Sequence, residues 1–255
     1  MRSRYAFDDL VSMLARLRRP GGCPWDRAQT PRTLRPYLLE ETYEVLDAID
    51  RGDQPALREE LGDLLLQVVF HARMAEEEGH FSAGDVVDGL VRKLIERHPH
   101  VFGDAQLDTA EAVLAHWQNA KQARRDSPFE GIPEALPALA RAQKVQERVR
   151  LLGFRWPDLQ AAMAKVRAEL DELEAAQGAA AAADELGDAF FTLINVAIFQ
   201  GVDAEQALHD ATRKFVDRFA RVEALAAASG RPLREHSLDE LLALWQQAKS
   251  GHAGG

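Results

Sequence analysis

Two pairs of carboxylates in the first half of the chain have a spacing that could bind a metal ion. Glu41 and Glu44 lie three residues apart, and Glu60 and Asp63 repeat that spacing further along. On a helix, residues three apart share a face. Both pairs adjoin apolar residues, and burying unpaired carboxylates is costly. The pattern therefore predicts a positive partner between two helices, and Mg²⁺ fits because it prefers carboxylate oxygens.

The same carboxylate pattern recurs in the second half of the chain. Its members are Glu169, Glu172, Glu185 and Asp188. A solvated acidic helix face is the alternative interpretation, and recurrence in both halves counts against it. Gly62 and Gly187 precede the aspartate in each half, although glycine inside a helix costs about 1 kcal/mol. Their repetition predicts close backbone packing beside the carboxylates.

Cationic and aromatic residues also recur in matching order. The matched pairs are Lys93–Arg97 with Lys214–Arg218, and Trp117–Lys121 with Trp245–Lys249. Each pair has the spacing of one helical turn, so its members share a face. Beside a metal, a cationic pair suits a polyphosphate, and a tryptophan can stack on a base. Surface placement of the cations and core packing of the tryptophans are the alternatives.

The elements that position these residues are predicted to be helices. Strand signals are almost absent, and apolar residues recur at helical spacing. Four matched segments recur in the same order, which indicates a tandem duplication. We therefore predict an all-α protein with two tandem helical-bundle repeats, residues 1–125 and 137–255. A linker at 126–136, rich in proline and glycine, joins them.

Composition limits the classes of function that remain. The chain carries 31 basic and 41 acidic side chains, a net charge of −10, which disfavours binding of duplex nucleic acid. Cys23 is the only cysteine, so no internal disulfide can form. No apolar stretch has the length of a membrane span, and no GxxxxGK[ST] phosphate loop is present. We expect a soluble, cytoplasmic protein without membrane partners.

Several segments together resemble a known family. They are GCPWD (22–26), EETYE (40–44), EELGDL (59–64), RHPHVF (97–102), GIPEALPALARAQK (131–144) and WQQAK (245–249). In this order they resemble the MazG nucleoside triphosphate pyrophosphohydrolases with two tandem repeats, which are all-α. The resemblance implies a homodimer that hydrolyses (deoxy)nucleoside triphosphates to nucleoside monophosphate and pyrophosphate. It further implies dependence on Mg²⁺, with Mn²⁺ as a substitute, broad base tolerance and a role in nucleotide-pool housecleaning.

The resemblance also assigns roles to individual residues. The implied metal ligands are Glu41, Glu44, Glu60, Asp63, Glu169, Glu172, Glu185 and Asp188. The implied catalytic residues are Glu172, Glu185, Lys214 and Arg218. The implied substrate-binding residues are Lys93, Arg97, Trp117, Lys121, Lys214, Arg218, Trp245 and Lys249. In the family the C-terminal repeat is usually credited with hydrolysis, but Glu40 of the first repeat is matched by Ala168 in the second. Which repeat is active therefore stays open.

Two other functions remain open at this point. The first is a narrower pyrophosphatase for an oxidised or signalling nucleotide, because helical periodicity does not reveal base specificity. The second is a non-catalytic helical dimer that binds nucleotide or a regulatory protein partner. Retention of all four acidic positions in both repeats argues against the second, since a scaffold has no physical reason to keep buried carboxylates.

Overall fold

The chain is described by a computed structural model that covers residues 4–122 and 127–250, with side chains described for 4–117 and 127–249. Within these ranges every regular element is a helix, which confirms the predicted all-α class. The chain divides into two compact units, Met1–Asn119 and Ala120–Gly255. The repeat and linker boundaries proposed from the sequence stay a prediction.

The first unit is built around a hairpin of two long helices. Its elements are α1 (Phe7–Arg18), α2 (Pro24–Ala28), α3 (Pro31–Arg51), α4 (Gln54–Glu77), α5 (Ala83–Arg97), α6 (Pro99–Phe102) and α7 (Ala110–Gln122). Helix α3 begins where the Thr30 hydroxyl accepts the Thr33 N–H at 3.2 Å. Gly52 adopts a left-handed φ of 65° and Asp53 caps α4, so the chain reverses in two residues. Helices α3 and α4 then pack along each other.

The core of this unit is a compact apolar cluster. Its buried members are Leu14, Leu34, Val69, Phe70 and Met74. They come from α1, α3 and α4, which fixes α1 against the hairpin. The helical spacing of apolar residues in the sequence predicts this arrangement, because residues three or four apart share one face.

The second unit contains a matching hairpin. Its elements are α8 (Ala138–Leu151), α9 (Leu159–Ala175), α10 (Ala179–Phe199), α11 (Ala204–Ala228), a 3₁₀ turn (Leu233–Glu235) and α12 (Leu238–Ser250). Helices α9 and α10 pack along each other, α8 lies on α10, and α12 lies on α11. Asp158 and Asp203 cap α9 and α11 through backbone N–H groups. Each hairpin carries one carboxylate pair on its first helix and the other on its second.

Two further observations concern helix surfaces. Gly62 and Gly187 lie on exposed helix faces, and a Cβ added at either would meet no described atom within 4 Å. The prediction of close backbone packing at these glycines is therefore wrong within each unit. None of the helices in residues 4–122 and 127–250 combines the length and hydrophobicity needed to cross a bilayer.

Candidate active site

The first hairpin brings three of its four predicted carboxylates together. Oxygens of Glu41, Glu60 and Asp63 all lie within 4.8 Å of one another, and the three residues are half-buried. Glu44 is exposed and is not one of these three, although its side chain hydrogen-bonds to Glu41. Burial raises the pKa of Glu41, the charges on Asp63 and Glu44 raise it further, and a hydrogen bond from Gln67 lowers it. The fold therefore holds these carboxylates close together although their negative charges repel one another.

The second hairpin forms the corresponding cluster. Oxygens of Glu169, Glu172 and Glu185 lie within 4.8 Å of one another, while Asp188 is exposed and outside the group. Glu169 is only 4% exposed, and its Oε2 is buried without a hydrogen-bond partner among the described residues. Burial raises the pKa of Glu185, and the charge on Glu172 raises it further. A cation is the partner that such an arrangement calls for.

A lysine lies inside the second cluster. Lys165 Nζ is 2.8 Å from Glu169 Oε1 and 3.7 Å from Glu172 Oε1. The hydrogen bond to Glu169 raises the pKa of Lys165, which keeps the ammonium charged. The hydroxyl of Thr192 also donates to Glu169 Oε1, at 3.4 Å. The more buried oxygen of Glu169 remains available as an acceptor.

The first cluster has no equivalent of this lysine. Lys165 precedes Glu169 by four residues, and the residue four before Glu41 is Tyr37. The Tyr37 ring meets Trp25 edge-on, with centroids 6.1 Å apart. The two clusters therefore share their carboxylates but differ at this position, which holds a lysine in the second repeat and Tyr37 in the first. In the first cluster burial raises the pKa of Glu60, and the charge of Arg51 opposes that rise.

Both clusters have the composition of a site for a hard divalent cation. Such ions take carboxylate oxygens and tolerate several acidic ligands close together. The buried, unpaired Oε2 of Glu169 is an acceptor that a metal ion would satisfy. The residues present therefore fit a divalent metal, and Glu44 and Asp188 of the predicted set border the three-member clusters without belonging to them.

The cationic pair of the second repeat lies on a neighbouring helix. Lys214 is exposed and Arg218 is half-buried on α11, which also contacts α10. No hydrogen bond or ion pair joins either side chain to the carboxylates in the described structure. Trp245 packs beside this pair, with its ring centroid 5.0 Å from that of Phe215. Lys249 is exposed one turn further along α12.

The matching residues of the first repeat lie at the end of α5. Lys93 is exposed, Arg97 is half-buried, and Trp117 Nε1 donates to the Arg97 carbonyl at 2.6 Å. The Trp117 ring also meets His98 edge-on at 5.0 Å. The structure thus places Trp117 in contact with the backbone of Arg97. The Lys121 side chain falls outside the described residues.

Sequence patterns missed three polar residues that line the carboxylates. They are Lys165, Gln67 and Thr192. A signal for each was present: Lys165 is one turn before Glu169, and the other two interrupt the apolar runs LLLQVVF and AFFTLIN. Gln67 and Thr192 also follow the aspartates of the two ELGD segments by four residues, so they occupy equivalent positions.

Comparisons with known proteins identify the family of the chain. Residues 29–102 match the model of the MazG nucleotide pyrophosphohydrolase domain. The chain is 46% identical over 253 residues to the nucleoside triphosphate pyrophosphohydrolase of Escherichia coli K12, covering 95% of this chain and 96% of that protein. It is 42% identical over 249 residues to the nucleoside triphosphate pyrophosphohydrolase/pyrophosphatase MazG of Thermotoga maritima, covering 96% of each. The resemblance seen in the sequence is confirmed, and the chain belongs to the MazG nucleotide pyrophosphohydrolase family.

Proposed function

We propose that the chain hydrolyses (deoxy)nucleoside triphosphates to nucleoside monophosphate and pyrophosphate, with Mg²⁺ as its natural metal and Mn²⁺ as a substitute. The observation that carries this proposal is the second-repeat cluster, where oxygens of three carboxylates lie within 4.8 Å of one another and Lys165 Nζ lies 2.8 Å from Glu169 and 3.7 Å from Glu172. Relatives that align along nearly the whole chain bear the name of this activity. Broad base tolerance, a place in nucleotide-pool housecleaning and a cytoplasmic location belong to the same proposal.

The metal would be held by the clustered carboxylates. In the second repeat these are Glu169, Glu172 and Glu185, and Asp188 is one turn from Glu185 on α10. A divalent ion bound there supplies Lewis acidity and lowers the pKa of a water.

The protein side chains supply the remaining steps. Water attacks the α-phosphorus in line, a carboxylate of Glu172 or Glu185 accepts its proton, and pyrophosphate departs from the opposite side. Charge accumulates on the departing oxygens. Lys214 and Arg218 on α11 are the cations we assign to this charge, and Trp245 with Lys249 would hold the rest of the substrate.

We assign turnover to the second repeat. Its cluster combines a buried glutamate with a protein cation, so negative phosphate oxygens would meet positive charge. The first cluster has Tyr37 at the position of Lys165, and the cation that acts on it, Arg51, is paired with Asp47 at 2.8 Å. The first repeat would bind a second nucleotide through its predicted substrate-binding residues, which are Lys93, Arg97, Trp117 and Lys121.

Assembly as a homodimer is also part of the proposal. Both hairpins expose large apolar side chains on their helices. In the second hairpin these are Leu170, Leu186, Phe190 and Leu193. Contiguous exposed apolar surface of this kind is typical of an interface. A second copy of the chain would cover it with an equivalent face.

The assignment of the site can be tested with matched alanine variants. Glu185→Ala should lower the rate of pyrophosphate release in Mg²⁺ by more than about 100-fold. Loss of a residue that only supports a metal ligand lowers activity by about 10- to 100-fold. Asp188→Ala should act in the same direction, and the first-repeat variant Glu60→Ala should retain most activity. Circular dichroism checks that helicity is preserved. Full activity in both second-repeat variants with loss in Glu60→Ala would move turnover to the first repeat.

Binding and product assays on the wild-type protein distinguish the two alternative functions. A helical dimer that only binds nucleotide would bind triphosphates in a Mg²⁺-dependent way without forming any product. A narrower pyrophosphatase would release pyrophosphate from an oxidised or signalling nucleotide but not from the common triphosphates. Product formation from several bases would contradict both alternatives.

A further inference from the structure

Lys165 contacts the same carboxylates that a metal ion in the second cluster would use. Its Nζ is 2.8 Å from Glu169 Oε1 and 3.7 Å from Glu172 Oε1. These two glutamates and Glu185 are the residues whose oxygens converge within 4.8 Å. A divalent cation that bridges Glu169 and Glu172 would therefore lie beside an ammonium group. Two cations at that distance repel each other, so the lysine and the metal compete for the cluster.

The burial of Glu169 makes this competition strong. Its side chain is only 5% exposed, so solvent does little to screen its charge, and a buried carboxylate depends on a nearby partner. Oε1 accepts from Lys165 and from the Thr192 hydroxyl, and Oε2 is buried without a hydrogen-bond partner among the described residues. The ammonium of Lys165 thus supplies charge compensation that a metal ion would otherwise supply.

The ammonium can move away while Glu169 keeps another donor. Lys165 is 36% exposed and carries its charge on a flexible four-carbon stem. Thr192 is buried, and its hydroxyl lies 3.4 Å from Glu169 Oε1. A triphosphate carries more negative charge than one carboxylate and therefore attracts the ammonium. A polyphosphate that arrives with a metal would draw Lys165 from Glu169 and leave the carboxylates to the metal.

The first repeat has no lysine at the corresponding position. Tyr37 stands there, and its ring packs edge-on against Trp25. Glu41 instead accepts a hydrogen bond from Gln67, whose side chain is buried. An amide donates to a carboxylate without adding a charge that repels a metal. The two repeats therefore differ in whether a protein cation competes with a metal for the buried glutamate.

We propose that Lys165 is an internal counter-ion that keeps free divalent cations out of the second cluster, so that metal binds tightly there only together with a polyphosphate. The proposal rests on the proposed function and adds an order of binding to it. Removing the ammonium should raise the affinity of the second cluster for free Mn²⁺ by about tenfold or more, which is the lower end of the effect that groups contacting metal ligands have on metal affinity.

Mn²⁺ binding without nucleotide tests this exclusion directly. The full chain is titrated with Mn²⁺, and electron paramagnetic resonance measures the free ion. Lys165→Met should bind an additional, tightly held Mn²⁺ ion per chain compared with the wild-type protein. Lys165→Arg keeps the positive charge and should behave like the wild-type protein. Lys144→Met makes the methionine change at an exposed position of α8 and should also match the wild-type protein, with helicity checked by circular dichroism.

A double variant and a nucleotide analogue locate the additional ion and test the exchange. Adding Glu169→Gln to Lys165→Met removes one charged ligand and should abolish the additional binding. When α,β-methylene-ATP is present, Mn²⁺ affinity should rise more in the wild-type protein than in Lys165→Met, by about tenfold. The reason is that only the wild-type protein has an ammonium for the triphosphate to displace.

The outcomes separate this proposal from the proposed function. The counter-ion role is overturned if Lys165→Met keeps its helicity and binds no additional Mn²⁺, if Lys165→Arg gains the same ion, or if the analogue raises Mn²⁺ affinity equally in both proteins. Pyrophosphate release by the wild-type protein would then leave the function standing. Additional Mn²⁺ in Lys165→Met that Glu169→Gln removes, without pyrophosphate release by the wild-type protein, would support the counter-ion role and contradict the function.

Discussion

Replacing Lys165 with methionine removes the one protein cation in the second cluster while keeping most of the apolar stem. Its Nζ lies 2.8 Å from Glu169 Oε1, and the two side chains are 36% and 5% exposed. Exposed ion pairs contribute about 0–1 kcal/mol, and breaking a buried pair costs about 3–5 kcal/mol. Because solvent screens the lysine but not the glutamate, we expect Lys165→Met to lower the free energy of unfolding by about 1–2 kcal/mol.

Urea unfolding in EDTA, followed by circular dichroism, measures this loss. Added Mg²⁺ should reduce the difference between Lys165→Met and the wild-type protein, because a bound metal replaces the missing charge beside Glu169. Lys144→Met is the matched control, since Lys144 is exposed on α8, and it should change stability by less than about 0.5 kcal/mol.

A double variant separates the ion pair from general effects of the substitution. In a Glu169→Gln background the buried charge is gone, so Lys165→Met should cost much less than it does alone. If Lys165→Met is as stable as the wild-type protein in EDTA, or if its cost is equal in both backgrounds, Lys165 does not compensate the charge of Glu169.

Two further predictions concern ion pairs outside the clusters. Arg18 donates to Glu77 at 2.8 Å, and this hydrogen bond lowers the pKa of the Glu77 carboxyl. Arg18→Met should therefore lower the free energy of unfolding in urea by about 2–3 kcal/mol, which is less than for a fully buried pair because Glu77 is partly exposed. An unchanged unfolding midpoint would contradict this role. The hydrogen bond from Arg231 lowers the pKa of Glu240 from 4.5 to about 2, so its contribution to stability is present above pH 4.5 and lost as pH falls through about 2. Thermal unfolding should therefore show Glu240→Gln less stable than the wild-type protein near neutral pH and equal to it near pH 2, and a pH-independent difference would refute the assignment.

The sequence predicted the class of fold and the carboxylate clusters because both depend on local spacing. Apolar residues at helical intervals define the faces that pack, and carboxylates three apart must share a face. The tandem duplication predicted from the sequence accounts for equivalent pairs on both hairpins. Glu44 and Asp188 are not members of the three-member clusters, because which carboxylates converge depends on how two helices are rotated against each other.

Long-range features were beyond pattern analysis. Lys165 lies in the second cluster because of side-chain packing. The only sequence signal for this placement was its position one helical turn before Glu169. The two glycines were wrongly predicted to mark close packing, because intrinsic helix propensity does not say which face meets a neighbour.

The central claim is hydrolysis at the α-phosphorus, and the products formed in ¹⁸O-labelled water test it most directly. The wild-type protein is incubated with Mg²⁺ and the common ribo- and deoxyribonucleoside triphosphates, and the products are resolved by mass spectrometry. We predict equal amounts of nucleoside monophosphate and pyrophosphate, with the label in the monophosphate and no products in EDTA. Label in pyrophosphate, or release of orthophosphate as the first product, would contradict attack at the α-phosphorus.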